Sequence, residues 1–322
     1  MNDFLIAWNK SYVDPHPQMR DIGARITAVG QSSGTMMMPA RPDWLGDPIR
    51  GLLHPGALTV LADSACGLAV GAALDRSVTY ATLDLRMEYL GPASPDLDVY
   101  CEADCYRLTR SVAFTHGHLW QSKSDAPPDR PNHNEPDRVE PNRYEPNRGE
   151  PIASVQATFM LSTVAKAGAN VGGHTSAAPA LDAAWQPPVA SEPVLAANPI
   201  PYVEYLGIRV APDARQPIFR MPYQEKLIGN PTLPALHGGV VAGFAETAAT
   251  LHLIQTLNGA KFPKSIDFSI DYLRSARPEE TFAKCEVVRV GARVALVNVR
   301  CWQKTPDYPI VVARALFLLT PA

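Results

Sequence analysis

The chain repeats itself. Residues 46–56 (GDPIRGLLHPG) and 229–239 (GNPTLPALHGG) align without a gap at an offset of 183. The register holds through Asp63 and Glu246 and on to Tyr89-Leu90 and Tyr272-Leu273. Further along, Arg107 and Trp120 meet Arg289 and Trp302 at an offset of 182. A duplication of this extent restricts the chain to folds made of two copies of one unit. The 322 residues accord with two domains at roughly 100–200 residues each.

Each copy reads as the same series of elements. An irregular loop bearing Gly and Pro leads to a histidine, after which a helix of small residues begins. Leu58, Leu61, Ala65, Leu68 and Ala72 recur at helical spacing in the first copy, as do Val240, Val241, Phe244, Ala248 and Leu251 in the second. A strand follows. Leu83, Leu85, Met87 and Tyr89 alternate with Asp84, Arg86 and Glu88, while Ile266, Phe268, Ile270 and Tyr272 alternate with Asp267, Ser269 and Asp271. Three further strands are expected at 98–107, 111–121 and 152–163, and again at 281–290, 293–303 and 310–320. A nearly uncharged helix followed by four closely connected strands predicts an α+β unit, an antiparallel sheet wrapped around a central helix. Such sheets pair edge to edge, so the two copies are expected to form an intrachain pseudo-dimer, with further dimerisation left open.

Proline then sorts itself along the chain. Its 31 occurrences are about twice the usual share of ~5%, and 13 of them fall in 126–151 and 170–201. The first copy carries an insertion of about 24 residues relative to the second, within 122–150, built on Glu-Pro repeats such as Glu140-Pro141-Asn142-Arg143. It has no apolar face to bury and is expected to be a loop. A Pro/Ala/Gly-rich stretch joins the copies. The expected division is a first domain at 1–164, a linker at 165–198 and a second domain at 199–322.

A net charge of −3 lacks the excess of base that a nucleic-acid partner calls for. The start of the chain has no basic, apolar leader, and the small-residue run 57–74 is broken by Asp63 and Ser64, so no membrane span is expected. Cys66, Cys101, Cys105, Cys285 and Cys301 form no C-x-x-C pair and fit a reducing cytoplasm. His116 and His118 share a strand face but have no third ligand nearby, so no metal is expected.

The chemistry concentrates after the histidines. His237-Gly238-Gly239 precedes Glu246, and His54-Pro55-Gly56 precedes Asp63, each by nine residues from histidine to acid. A carboxylate two turns into an apolar helix is costly to bury unless it is paired or used. The helix start offers free N–H groups to a developing oxyanion. Together these describe acyl chemistry, in which donors polarise a carbonyl while a carboxylate attacks it or activates water. The plainer reading stays open: both acids would then be helix carboxylates favoured by the macrodipole, and both histidines would only shape turns. Ser64 lies beside Asp63 without a Gly-x-Ser-x-Gly elbow, which argues against a serine hydrolase. Arg107, Arg110, Arg274, Arg289 and Arg293 suit CoA phosphates in type but read as solvated strand-end charges.

The pattern His-Gly-Gly-x₆-(Asp/Glu), with a strand ending Tyr-Leu-x-x-Ala, resembles the hotdog-fold acyl-CoA thioesterases of the phenylacetate-pathway type. The resemblance covers both copies. It implies a dimeric unit whose sites take the acid from one protomer and the His-Gly-Gly loop from the other, acting on acyl-CoA without a cofactor. Carried over by residue, one site joins Asn230, His237, Gly238 and Gly239 to Asp63 and Thr82. There Gly238 N–H polarises the carbonyl, Asp63 is base or nucleophile, and Asn230 positions the water or the carbonyl. The other joins Asp47, His54 and Gly56 to Glu246 and Ser265. Here Pro55 lacks the N–H of the first glycine, and Asp47 replaces the asparagine, so this second site is expected to be the weaker. Two alternatives accompany hydrolysis: a hotdog hydratase or dehydratase, and an acyl-CoA-binding protein without turnover.

Overall fold

A computed structural model describes residues 3–74, 78–122, 151–162, 192–193, 199–211, 217–232 and 234–321. The Glu-Pro insertion, beyond its first residue, and all but a few residues of the expected linker lie outside them. The first copy runs α1 (Asp3–Trp8), a π-helical turn (Asn9–Val13), α2 (Pro17–Asp21), β1 (Arg25–Val29), β2 (Ser33–Met38), β3 (Leu45–Asp47), β4 (Leu52–Leu53), α3 (Pro55–Ala73), β5 (Thr79–Tyr89), β6 (Asp98–Leu108), β7 (Val112–Ser122) and β8 (Pro151–Ser162). After β9 (Glu192–Pro193) the second copy runs α4 (Pro201–Leu206), β10 (Arg209–Ala211), β11 (Ile218–Met221), β12 (Ile228–Asn230), β13 (Ala235–Leu236), α5 (Gly238–Thr256), β14 (Lys261–Tyr272), β15 (Thr281–Val290), β16 (Val294–Trp302) and β17 (Val311–Pro321).

The four strands expected after each helix are present. Two more precede each helix, β1 and β2 in the first copy and β10 and β11 in the second. The irregular loops before the histidines contain the small hairpins β3/β4 and β12/β13. All the longer strands join one sheet in the order β1-β2-β6-β7-β8-β5-β14-β17-β16-β15-β11-β10-β9. Its middle is the antiparallel pair β5–β14, which welds the copies together. Asp84 faces Asp271, Arg86 faces Ser269 and Glu88 faces Asp267. Arg86 and Ser269 are equivalent under the offset of 183, so the pseudo-two-fold axis passes between them. That symmetry sets acids opposite acids, which is unfavourable unless offset. The Arg86 guanidinium supplies the offset, reaching Asp267 at 2.8 Å and Glu88 at 3.2 Å. The Asp84 carboxyl is pushed up in pKa, first by burial and then by the charge of Asp271.

Both central strands carry a β-bulge, between Thr82 and Asp84 and between Ser265 and Asp267. Strict alternation places Leu83 and Ile266 inward. The extra residue at each bulge instead reverses the parity upstream, so Thr82 and Ser265 pair with the buried Phe159 and Phe317 and face the helices.

Helix α3 is buried continuously from Gly56 to Val70 and so has no wet face along that stretch, as the central helix of a wrapped sheet requires. It is long and apolar enough to cross a membrane, but 83% of that apolar window is buried inside the protein, as a core helix. α3 and α5 pack on each other across the pseudo-two-fold with backbones almost touching. A Cβ on Gly56 would lie 2.9 Å from Gly243 Cα, and one on Gly239 would lie 2.6 Å from Val60 Cα. These contacts are equivalent, since Val60 and Gly243 are 183 residues apart. Adding a methyl group at the crossing should therefore force the helices apart. Gly56→Ala is expected to cost about 1–3 kcal/mol in urea denaturation. Gly91→Ala, whose Cβ would meet nothing nearer than 3.7 Å, should cost little.

Candidate active site

The helix crossing brings the start of each helix against the acid of the other. At one crossing Asp63 of α3 is buried, and both its oxygens accept hydrogen bonds. Oδ1 receives the Thr82 hydroxyl at 2.9 Å, and Oδ2 receives Gly239 N–H at 2.7 Å. Thr82 reaches the acid because the bulge turns it inward. Gly238, the first residue of α5, leaves its N–H without a partner among the described residues, as helix starts do. A Cβ there would lie 2.8 Å from Asp63 Oδ2, so glycine is what lets the carboxylate sit beside that N–H. The Tyr272 hydroxyl donates to Gly238 O at 2.9 Å and pins the turn from the far side.

His237 caps α5 and lies 3.5 Å from Asp63. Burial lowers its pKa, the Asp63 charge acts the other way, and His16 adds to the lowering. The neutral ring is also what its neighbours require. Nδ1 accepts Gly239 N–H at 3.1 Å, so the contact between Nδ1 and Asp63 Oδ2 is one of two acceptors sharing that donor. Nε2 lies 3.2 Å from Ser64 Oγ, whose own proton goes to Val60 O at 2.9 Å. Ser64, His237 and Asp63 thus stand in the order of a hydrolase triad, but the serine faces a donor and not a base.

The second crossing departs from the first at several points. Pro55 occupies the place of Gly238 and has no N–H to offer. Glu246 is fully buried and turns its carboxyl toward Tyr89, whose hydroxyl donates to Oε2 at 2.7 Å, with Thr59 at 3.5 Å. Burial pushes its pKa up to about 7, against hydrogen bonds from Tyr89, Ser265 and Thr59. Its Oε1 meets no hydrogen-bond partner among the described residues. His54 accepts Gly56 N–H on Nδ1 at 3.0 Å and stacks on Tyr202 at 4.5 Å, and burial takes its pKa down to about 3. A phenol ring therefore stands against this cap.

Asn230 and Asp47 close equivalent turns, accepting N–H from Thr232 at 2.9 Å and from Ile49 at 3.0 Å. Asp47 also pairs with Arg50 at 3.1 Å, which draws its charge into a local ion pair. Tyr89, Tyr202, Tyr272 and the Ser64 contact were not foreseen. The repeat marks Tyr89 and Tyr272 as equivalent, but not that one binds a carboxylate and the other a carbonyl. His116 and His118 lie against Tyr106 and Trp120. A hollow of about 870 Å³ near Asp271, Lys284, Arg300 and Arg314 contains no residue of either constellation.

The family model described as the thioesterase superfamily matches this chain twice, at residues 50–127 and 233–310. A protein of Halobacterium salinarum named as an esterase is 34% identical over 98 residues, which is 30% of this chain and 65% of that protein. The chain thus spans just under two thirds of that relative's length. Among solved structures, one named as a thioesterase from Novosphingobium aromaticivorans superposes with a TM-score of 0.62 at 12% identity, covering 92% of this chain and 98% of its own. A protein with a hot dog fold from Alicyclobacillus acidocaldarius does so at 0.60, with 12% identity and coverage of 92% and 96%. The likeness gives this chain the hotdog fold, two copies in tandem.

Glu246 provides a pH test of the second crossing. Its folded pKa stands above the unfolded value, so the fold holds it protonated where the unfolded chain ionises it. The resulting penalty is absent below the unfolded pKa, grows as pH rises and levels off above about 7. Glu246→Gln should thus raise Tm over the wild type by a margin that widens from pH 5 to pH 7 and is flat beyond. A margin independent of pH would contradict the buried, protonated acid.

Proposed function

Because the chain belongs to the thioesterase superfamily, we propose that it hydrolyses acyl-CoA thioesters at the crossing that holds Asp63. One observation carries the reading. The Asp63 carboxylate of the first copy is held at 2.7 Å by Gly239 N–H of the second, beside the Gly238 N–H, which has no partner among the described residues. In this reading the thioester oxygen takes the Gly238 N–H, and Thr82 and Gly239 aim the carboxylate at the carbonyl carbon. As a base, Asp63 removes a proton from the attacking water and returns it to the CoA thiolate expelled when the tetrahedral intermediate collapses. As a nucleophile, it expels the thiolate, which takes a proton from solvent, and forms an acyl–Asp63 anhydride that water then hydrolyses to the acid and free Asp63. Asn230 acts on the water or the carbonyl from the end of the loop carrying His237. No cofactor enters.

The second constellation, Asp47, His54, Gly56, Glu246 and Ser265, is proposed as the weaker one. It lacks the donor at Pro55, holds a carboxyl of raised pKa and has Tyr202 against its histidine. A hydratase needs its histidine to exchange a proton with substrate. Both ring nitrogens of His237 are engaged within the protein, which favours hydrolysis. The division into 1–164 and 199–322 belongs to the same proposal and is supported by the two family matches. Five buried free cysteines support a reducing compartment such as the cytoplasm.

Release of free CoA from acyl-CoA tests the assignment. Asp63→Asn should lower kcat/KM by about 10²–10⁴-fold, whereas Glu246→Gln should leave it close to wild type. The reverse pattern would move the competent site to Glu246. Binding of acyl-CoA without turnover by the wild type would replace the enzyme with a carrier or sensor.

A further inference from the structure

The two histidine caps differ in one contact that the repeat itself does not predict. Ser64 and Thr247 are equivalent, and each hydroxyl bonds back to its own helix, Ser64 to Val60 O at 2.9 Å and Thr247 to Gly243 O at 2.6 Å. Of the two, among the described residues, only Ser64 also meets a histidine of the other copy, with Oγ 3.2 Å from His237 Nε2. Among the described residues His54 has no such hydroxyl on Nε2 and lies against Tyr202 instead. Ser64 is itself buried, and its carbonyl takes the Tyr12 hydroxyl at 2.9 Å, so its place on α3 is fixed from two sides.

We propose that Ser64 is a positioning residue of the Asp63 centre, locking His237 as the Nε2–H tautomer so that Nδ1 never presents a proton to Asp63. With its own proton committed to Val60 O, the Ser64 oxygen is an acceptor, and Nε2–H fills it. Nδ1 must then be the acceptor that receives Gly239 N–H. In the other tautomer, Nδ1–H would point at Gly239 N–H, donor against donor, and at Asp63 Oδ2 3.5 Å away. The carboxylate would gain a hydrogen bond from imidazole and become a weaker base. The lock thus preserves the basicity of the acid and keeps Gly239 N–H on Asp63, leaving Gly238 N–H for substrate. This inference rests on the thioesterase reading only for its effect on rate.

The other titratable groups facing the pair come from every neighbouring element: Tyr12 and His16 from the N-terminal segment, Cys66 on α3 and Tyr272 on β14. Burial raises the two phenols and the thiol, and lowers His16 below its ordinary value. None of the three raised groups ionises near neutrality.

The test is ¹⁵N NMR of histidine-labelled full-length chain, with the His237 signals identified by their loss in His237→Gln. The wild type should show the Nε2–H tautomer, Ser64→Ala should convert all or part of the signal to Nδ1–H, and Ser64→Thr should restore the wild-type pattern. In parallel, Ser64→Ala should lower kcat about tenfold with KM little changed, and move the acid limb of the pH profile to lower pH. Ser64→Thr should reverse both effects. An unchanged Nε2–H tautomer in Ser64→Ala overturns the inference, whatever the rate. A wild type that hydrolyses no acyl-CoA would sink the thioesterase reading instead, and the NMR result would still decide the role of Ser64.

Discussion

The structure depends on two helices that cross with almost no side chain between them. Gly56 against Gly243, and Gly239 against Val60, bring backbones within a distance that one methyl group would break. Because the contact is that close, the first N–H groups of one helix reach the carboxylate of the other, and the bond from Gly239 to Asp63 forms at 2.7 Å. The long sheet serves this crossing. β5 and β14 pair at the axis, and their bulges turn Thr82 and Ser265 inward, one to each acid.

Duplication in one chain permits what two identical subunits do not, the separate drift of two symmetric sites. A Pro at position 55 costs one crossing its leading N–H, and the longer Glu246 carries the carboxyl away toward Tyr89 and Thr59. Tyr202 then packs on His54. Each change removes something the Asp63 crossing retains: a donor, an acid held against the start of the partner helix, a hydroxyl on the imidazole Nε2. What remains at Glu246 is a buried acid of raised pKa, turned toward Tyr89 and without a helix-start donor beside it.

Much of this was legible in the sequence, for local reasons. The repeat fixed the pseudo-symmetry, and the period of two placed Thr281–Val290 at its observed bounds and Asp98–Leu108 within one residue. The strands before the helices were missed because they are short, and Ser33–Met38 (SGTMMM) shows no alternation. The bulges were missed because parity at Leu83 and Ile266 is set by the partner strand. The acids and the His-Gly-Gly loop stood out through spacing and burial cost. By contrast, the contacts of Ser64 with His237 and of Tyr202 with His54 join residues 173 and 148 positions apart. No local pattern encodes such pairs. They exist only once the crossing forms.

The central claim is that Asp63 and Gly238, from different copies, work as one site. Hydrolysis by Asp63→Asn, Gly238→Ala and the double variant tests it most directly. If the two residues form one site, each single change removes nearly all activity and the double variant is no worse than the more damaging single, since parts of one unit are not additive. If each single variant keeps about half the activity and only the double variant loses it, the residues belong to separate sites and the account is wrong.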